Sequence, residues 1–450
     1  MRRRGAETAP RPAPASRTST VWEQTVLLCC LIGSTQMTWG TIVPALPLYV
    51  DRYGVTAAML GVIIAAFGIG RVIANIPAGL ALRWWRPRPY LRVVCVLLVA
   101  VTALTGFSAD AGTLVAARVV AGVLGGAAVT IGFAVLVAGA PADRRGRVMA
   151  TATAVQMSAG ALGAFVGGLA LTWFPLEVAF VVASVPLALC LLWDAVRPAA
   201  HYWQPLRAPG SPGSPGSPGS PRSPSTPGSP RVRLPGGRPA SSGPASSGPA
   251  SSGLASSGLA VVVVALALGS FAAFFARFGG EQGLIPLLGY EQGGLTPLTL
   301  GVALAVATLA SLAAMPVVGA VIDRGRRVSV LVPSTIAAAL ALLLFAVAEG
   351  PWFFAVAIVV YGLASSIAGV VPSVVMSERV PARLSGLVVG VTRTAGDIGA
   401  VVGPLLVFAV FDLSGVWPAV AVIAAVLVIA NLLIVRVAAA SRRETTLPTG

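Results

Sequence analysis

The chain has 450 residues, of which 56% are hydrophobic and only 10% charged, and its mean hydropathy is +0.87. Soluble domains are about 45–50% apolar and about 25% charged, so there is too little charge here to coat a water-soluble body and a soluble fold is excluded. The net charge of +16 comes from arginines set in short clusters between apolar stretches, a pattern of membrane orientation and not of nucleic-acid binding.

In chain order, residues 1–21 are a basic tail. Pro10, Pro12 and Pro14 prevent a continuous amphipathic helix, and the apolar run that follows exceeds the ~7–15 residues of a signal-peptide core, so a solvated tail is expected. Apolar segments then fall at about 24–50, 57–82, 90–108, 112–139, 148–172 and 176–193. A helix needs about 20 residues to cross ~30 Å of hydrocarbon at ~1.5 Å per residue, and these segments match that length. Residues 197–258 turn to Gly-Ser-Pro and Pro-Ala-Ser-Ser-Gly repeats with too little apolar surface to offset ordering entropy, so a disordered linker is expected. Six more segments follow at about 260–288, 297–322, 329–347, 352–376, 384–411 and 416–436, then a polar tail over 438–450. The expected fold is an all-α polytopic membrane protein with twelve transmembrane helices in two six-helix bundles, 22–196 and 259–437.

Alternate loops carry Arg83, Arg86, Arg88, Arg144, Arg145, Arg147, Arg324, Arg326, Arg327, Arg379 and Arg383, on the same side as the tails and linker. The opposite loops carry Arg52 with Asp51, Asp110, Glu177, Glu291, Glu349 and Asp412. The arginine bias puts both termini in the cytoplasm, and a multi-pass protein of a bacterial inner membrane is expected.

The two halves share marks at a constant offset of 240: Gly79 with Gly319, Pro141 with Pro381, Gly146 with Gly386, Gly163 with Gly403, and Val119, Val120 and Gly122 with Val359, Val360 and Gly362. Each half crosses an even number of times, so the repeats are parallel, and a site is expected between them.

On these marks the chain resembles the major facilitator superfamily. Gly319, Asp323, Arg324, Gly325, Arg326 and Arg327 match its cytoplasmic signature one residue short. In the first half Gly79 is kept, but Arg83 replaces the Asp and Trp84 and Trp85 follow. Arg118, Gly122, Gly125 and Gly126 match the fourth-span signature, and Gly163, Gly167 and Gly168 match part of a fifth-span pattern of antiporters, with Ala164 in place of its proline. The resemblance implies secondary transport by rocking bundles. It also implies a cytoplasmic gate of Gly79, Gly319, Asp323, Arg324 and Arg326, and a cavity lined by spans 1, 4, 7 and 10, with Gln36, Trp39, Arg118, Arg277, Tyr361 and Ser365 as lining candidates.

Ionisable groups inside spans carry the rest. An ion at the bilayer centre costs at least ~2.5–3.5 kcal/mol, so none should face lipid. Arg277 with Glu281, and Arg393 with Asp397, are four apart on one helix face, which suits pairing within each helix and equally a coupling role. Asp397 is the first candidate for proton coupling and Glu281 the second. Arg71 and Arg118 have no acid at helical spacing; backbone carbonyls, Gln36 or a substrate carboxylate or phosphate are their possible partners. Arg71 and Arg393 join the cavity candidates, and the polar run Ser34, Thr35, Gln36, Thr38, Trp39 and Thr41 places part of span 1 beside water.

Cys29, Cys30, Cys95 and Cys190 lie in apolar segments without ligand spacing, and His201 begins the linker, so no disulfide, metal or cofactor is expected. No phosphate loop or nucleophile elbow is present, and no enzyme activity is expected. The leading expectation is a monomeric, proton-coupled exporter of small organic compounds. The alternatives are proton-coupled uptake of an anionic or sugar-like nutrient and a non-transporting sensor or scaffold that uses the linker as a docking arm.

Overall fold

The computed structural model describes residues 16–141, 144–197 and 257–445, and no strand occurs among the described residues. The tail 1–15 and nearly all of the linker lie outside the described residues. Among the described residues, twelve helices are long and apolar enough to cross a membrane. The first half contains span 1 (Trp22–Val50), span 2 (Ala57–Ala81), span 3 (Pro87–Thr105), span 4 (Ala111–Gly139), span 5 (Arg147–Trp173) and span 6 (Leu176–Val196). The second contains span 7 (Gly258–Glu291), span 8 (Pro297–Asp323), span 9 (Arg327–Leu344), span 10 (Pro351–Arg379), span 11 (Leu387–Ser414) and span 12 (Val416–Ala439).

Local chemistry sets the ends. Asp110 accepts from the Thr113 amide at 2.9 Å to start span 4, and Thr296 and Thr299 form the equivalent reciprocal cap before Pro297 at the start of span 8. Span 3 begins at Pro87 and ends before Gly106, a few residues earlier than the hydropathy suggests, because a proline suits the first helical turn. Spans 1 and 10 are each interrupted, by a short 3-10 step at Val43–Ala45 beside Pro44 and by Gly369 before Val370–Arg379.

Close glycine packing reproduces the repeat in space. A Cβ on Gly163 would lie 2.4 Å from the Met37 carbonyl of span 1, and one on Gly403 would lie 2.6 Å from the Phe275 carbonyl of span 7. Gly122 packs on Phe67 and Gly362 on Ala307, residues that again differ by the repeat offset. Small residues at these positions let the backbones touch.

The bundles meet along two seams, span 2 with span 11 and span 5 with span 8. At the arginine-poor end they are drawn together. Tyr290 donates to the Pro44 carbonyl at 2.6 Å, the Asp412 carboxylate accepts from the Ala58 amide at 2.9 Å, and Gly168 lies against Pro297. Toward the arginine-rich end Gly319 and Gly390 face open space and Arg393 is exposed. The cleft between bundles is therefore closed at the arginine-poor face and open toward the other.

Candidate functional site

The only buried acid among the predicted charges sits, among the described residues, in the seam of spans 2 and 11. Asp397 is 3% exposed; its carboxylate lies 3.2 Å from Arg71 Nη2 and accepts from Asn75 Nδ2 at 2.6 Å. Arg71 and Asn75 are one turn apart on span 2, so one helix face of the first bundle presents two donors to one acid of the second. Thr130 of span 4 donates to Asn75 Oδ1 at 3.4 Å and extends the chain. Asn75 carries donor and acceptor ends, so it can hydrogen-bond Asp397 in either protonation state.

This corrects two expectations. Asp397 pairs with Arg71 of the other bundle and not with Arg393, four residues away on its own helix. Arg393 stays exposed one turn nearer the open face, where its guanidinium keeps its hydration, whereas the buried carboxylate requires buried donors. Arg71 is satisfied by neither Gln36 nor backbone carbonyls but by this acid; Gln36 is partly exposed, without a hydrogen bond to any described residue.

Arg277 and Glu281 also fail to pair, since no ion pair joins them among the described residues. Both lie in a π-helical segment, Ala276–Leu284, centred on Gly279 and Gly280. Arg277 reaches across the bundle gap to span 5, with Nη1 3.4 Å from Met157 Sδ and Nη2 beside Gly160. Glu281 faces a small cavity inside the second bundle instead, shared with Thr308, Ser311, Tyr361 and Ser366. Ser365 stands beside the Tyr361 phenol and does not line that cavity.

Arg118 is 1% exposed, and its Nε and Nη2 have no hydrogen-bond partner among the described residues. Its guanidinium lies 4.6 Å over the Trp39 ring and 4.9 Å over Phe67, which themselves stack at 4.4 Å. A desolvated cation–π contact returns about 2 kcal/mol, less than the several kcal/mol needed to dehydrate an ion, so this arginine is left short of an anionic partner. Trp39 Nε1 donates to Gln282 Oε1 of span 7 and its ring packs on Phe278, so the aromatic cover of Arg118 is tied to the second bundle.

The remaining hydroxyls of span 1 are not cavity groups. Ser34, Thr35, Thr38 and Thr41 turn back to carbonyls three or four residues earlier in their own helix, which satisfies them inside packed apolar surroundings. The gate signature is open. Asp323, Arg324 and Arg326 are exposed and Asp323 has no partner among the described residues, while Arg327 beside them pairs with Glu378. Gly325, at φ +77°, makes the turn that follows. Gly79 touches only Thr130 of its own bundle.

Asn75, Gln282 and the aromatic pair Phe67 and Phe278 escaped sequence reasoning. Asn75 had a signal, a lone amide in an apolar span one turn from Arg71. Gln282 sat next to Glu281 and was overshadowed by it.

A family model described as Major Facilitator Superfamily matches residues 28–290 and 266–449. Among solved structures, the human organic anion transporter MFSD10 (TETRAN) superposes with a TM-score of 0.61 at 16% identity, over 92% of this chain and 99% of that one. A bacterial homologue of the human lysosomal transporter Spinster, in an inward-facing and unoccupied conformation, gives a TM-score of 0.64 at 11% identity, over 94% and 98%. No curated protein sequence matches the chain.

Proposed function

This chain belongs to the major facilitator superfamily, and from that premise we propose that it transports a small organic anion together with a proton. It works as a monomer in the cytoplasmic membrane of a bacterium, with the arginine-rich face inside. The observation that carries the reading is the Arg71–Asp397–Asn75 cluster across the bundle seam. Among the described residues of the central region, four arginines, Arg71, Arg118, Arg277 and Arg393, stand with two acids, Asp397 and Glu281, so positive charge is in surplus and suits an anionic solute. Protonating Asp397 removes the charge that holds Arg71, and an anion takes its place. Proton and anion thus enter together, which is symport.

Alternating access follows from the same contacts. With the arginine-poor face closed, solute enters from the open face; rocking the bundles the other way breaks Tyr290–Pro44, Trp39–Gln282 and Asp412–Ala58 and uncovers Arg118 on the opposite side. MFSD10 is named as an organic anion transporter, in keeping with this solute class. Export by proton exchange, the leading expectation from sequence, rests on the fifth-span glycines and on the Gly396, Asp397, Gly403, Pro404 run of span 11, and has weaker support: Gly163, Gly167 and Gly403 are accounted for by packing on Met37, Thr41 and Phe275.

The test is uptake into proteoliposomes under an imposed pH gradient, with a panel of labelled mono- and dicarboxylates beside neutral and cationic solutes. At least one carboxylate should accumulate, and Asp397→Asn should abolish gradient-driven accumulation while retaining solute exchange at equal pH. Full accumulation by the variant, or accumulation of cations alone, overturns the reading.

A further inference from the structure

The cavity between spans 7, 8 and 10 is separate from the seam that holds Asp397, and its chemistry is different. It measures about 30 Å³, room for one or two water-sized occupants. Its polar lining consists of the Glu281 carboxylate and the hydroxyls of Thr308, Ser311, Tyr361 and Ser366. All are oxygen donors, and no nitrogen or sulfur side chain takes part. The Tyr361 hydroxyl is fully buried and has no hydrogen-bond partner among the described residues. A buried phenol normally finds a partner, and with only the Ser365 hydroxyl beside it and no hydrogen bond in good geometry, the Tyr361 oxygen is free to act as a ligand.

We propose that this cavity binds one sodium ion, held by Glu281 and the surrounding hydroxyls. Hard cations take oxygen ligands. One carboxylate balances one positive charge, whereas a divalent ion would leave excess charge in a region already rich in arginine. No group of three or more His, Cys, Asp or Glu suited to a transition metal occurs among the described residues. The nearest cation, Arg277, is turned away toward Met157 and Gly160 and leaves Glu281 uncompensated. Glu281 also lies in the π-helical segment of span 7, a departure from regular α-helix of the kind that recurs at functional sites. The small volume favours sodium over the larger potassium ion.

The experiment is equilibrium binding of radioactive sodium to the purified full-length protein in detergent, with choline replacing sodium at constant ionic strength. Saturable binding of one ion per chain is expected, competed by lithium better than by potassium. Glu281→Gln should abolish it, and Ser311→Ala, which keeps every charge, should weaken it several-fold. Asp397→Asn should bind sodium as the parent does, which separates this site from the transport reading: full proton-driven flux in that variant defeats the transport reading and leaves the sodium site standing, whereas absent sodium binding in the parent defeats only the sodium site. No saturable binding by the parent, or binding that survives Glu281→Gln, overturns the proposal. Should Glu281→Gln fail to fold, full-strength binding by Ser311→Ala together with Tyr361→Phe overturns it equally.

Discussion

The two seams between the bundles solve one packing problem by different means. Spans 5 and 8 meet backbone to backbone: Gly168 lies against Pro297 and Leu298, and Gly301 against Ala164 and Phe165. Among the described residues, no side-chain hydrogen bond or ion pair joins these two spans. Spans 2 and 11 also use glycine, with Gly61 against Pro404 and Gly68 against Ala400, but add the Arg71–Asp397–Asn75 cluster and the Asp412 contact to the start of span 2. Van der Waals contact cannot respond to pH, whereas a buried ion pair can be dissolved by one proton. In the proposed mechanism the polar seam is the switch and the glycine seam the bearing on which the bundles turn.

The largest effect should come from splitting the buried pair. Asp397→Ala leaves Arg71 buried and uncompensated, with an expected loss of about 3–5 kcal/mol, whereas removing both partners as Arg71→Met with Asp397→Leu should recover most of it. A double-mutant cycle on thermal unfolding in detergent measures this. Additive losses would show that the two residues do not interact, and the contrast between seams would collapse.

A smaller loss is expected in the other seam. A Cβ at Gly168 would lie 2.2 Å from the Pro297 carbonyl, which is backbone and cannot rotate away. Gly168→Val should cost about 1–3 kcal/mol by overpacking and should do so equally at every pH. A distance measurement between spin labels on spans 5 and 8 should show the arginine-poor ends forced apart. A pH-dependent loss at this position would mean that the glycine seam also contains a titrating group.

How much of this was legible follows from what hydropathy and charge can encode. Twelve spans and the alternation of arginine loops depend on composition over about 20 residues, and a linear sequence displays that directly. The repeat was visible because Gly163 and Gly403 must be small for backbone contact, a constraint local to each position. Partners across the seam were not legible. Spacing along a helix suggested Arg393 for Asp397, yet the true partner Arg71 is brought to it only by tertiary packing. The outcome for Arg277 and Glu281 was hidden for a related reason: a π-helical segment and a nearby bundle gap gave each a different environment. The span 1 hydroxyls misled in the opposite direction, because a Ser or Thr in an apolar helix can satisfy itself on its own backbone.

The mildest test concerns how each seam starts its helix at the arginine-poor face. Span 8 caps itself with Thr296, four residues after Gln292 in its own loop, whereas Thr56 at the same place before span 2 makes no cap bond. The Ala58 amide instead receives Asp412 from the other bundle. Helix N-termini favour an anionic acceptor, and such a cap is worth about 0.5–2 kcal/mol, with the low end expected for this exposed carboxylate. Thr296→Ala should therefore destabilise the second bundle without changing how the bundles meet, because both partners of that cap lie in one bundle. Asp412→Ala should weaken the closed arginine-poor face itself, seen as faster labelling of a cysteine placed at Ala58 from that side. Equal labelling rates in parent and variant would reduce the Asp412 contact to a local cap and leave Arg71–Asp397 as the polar tie that distinguishes this seam.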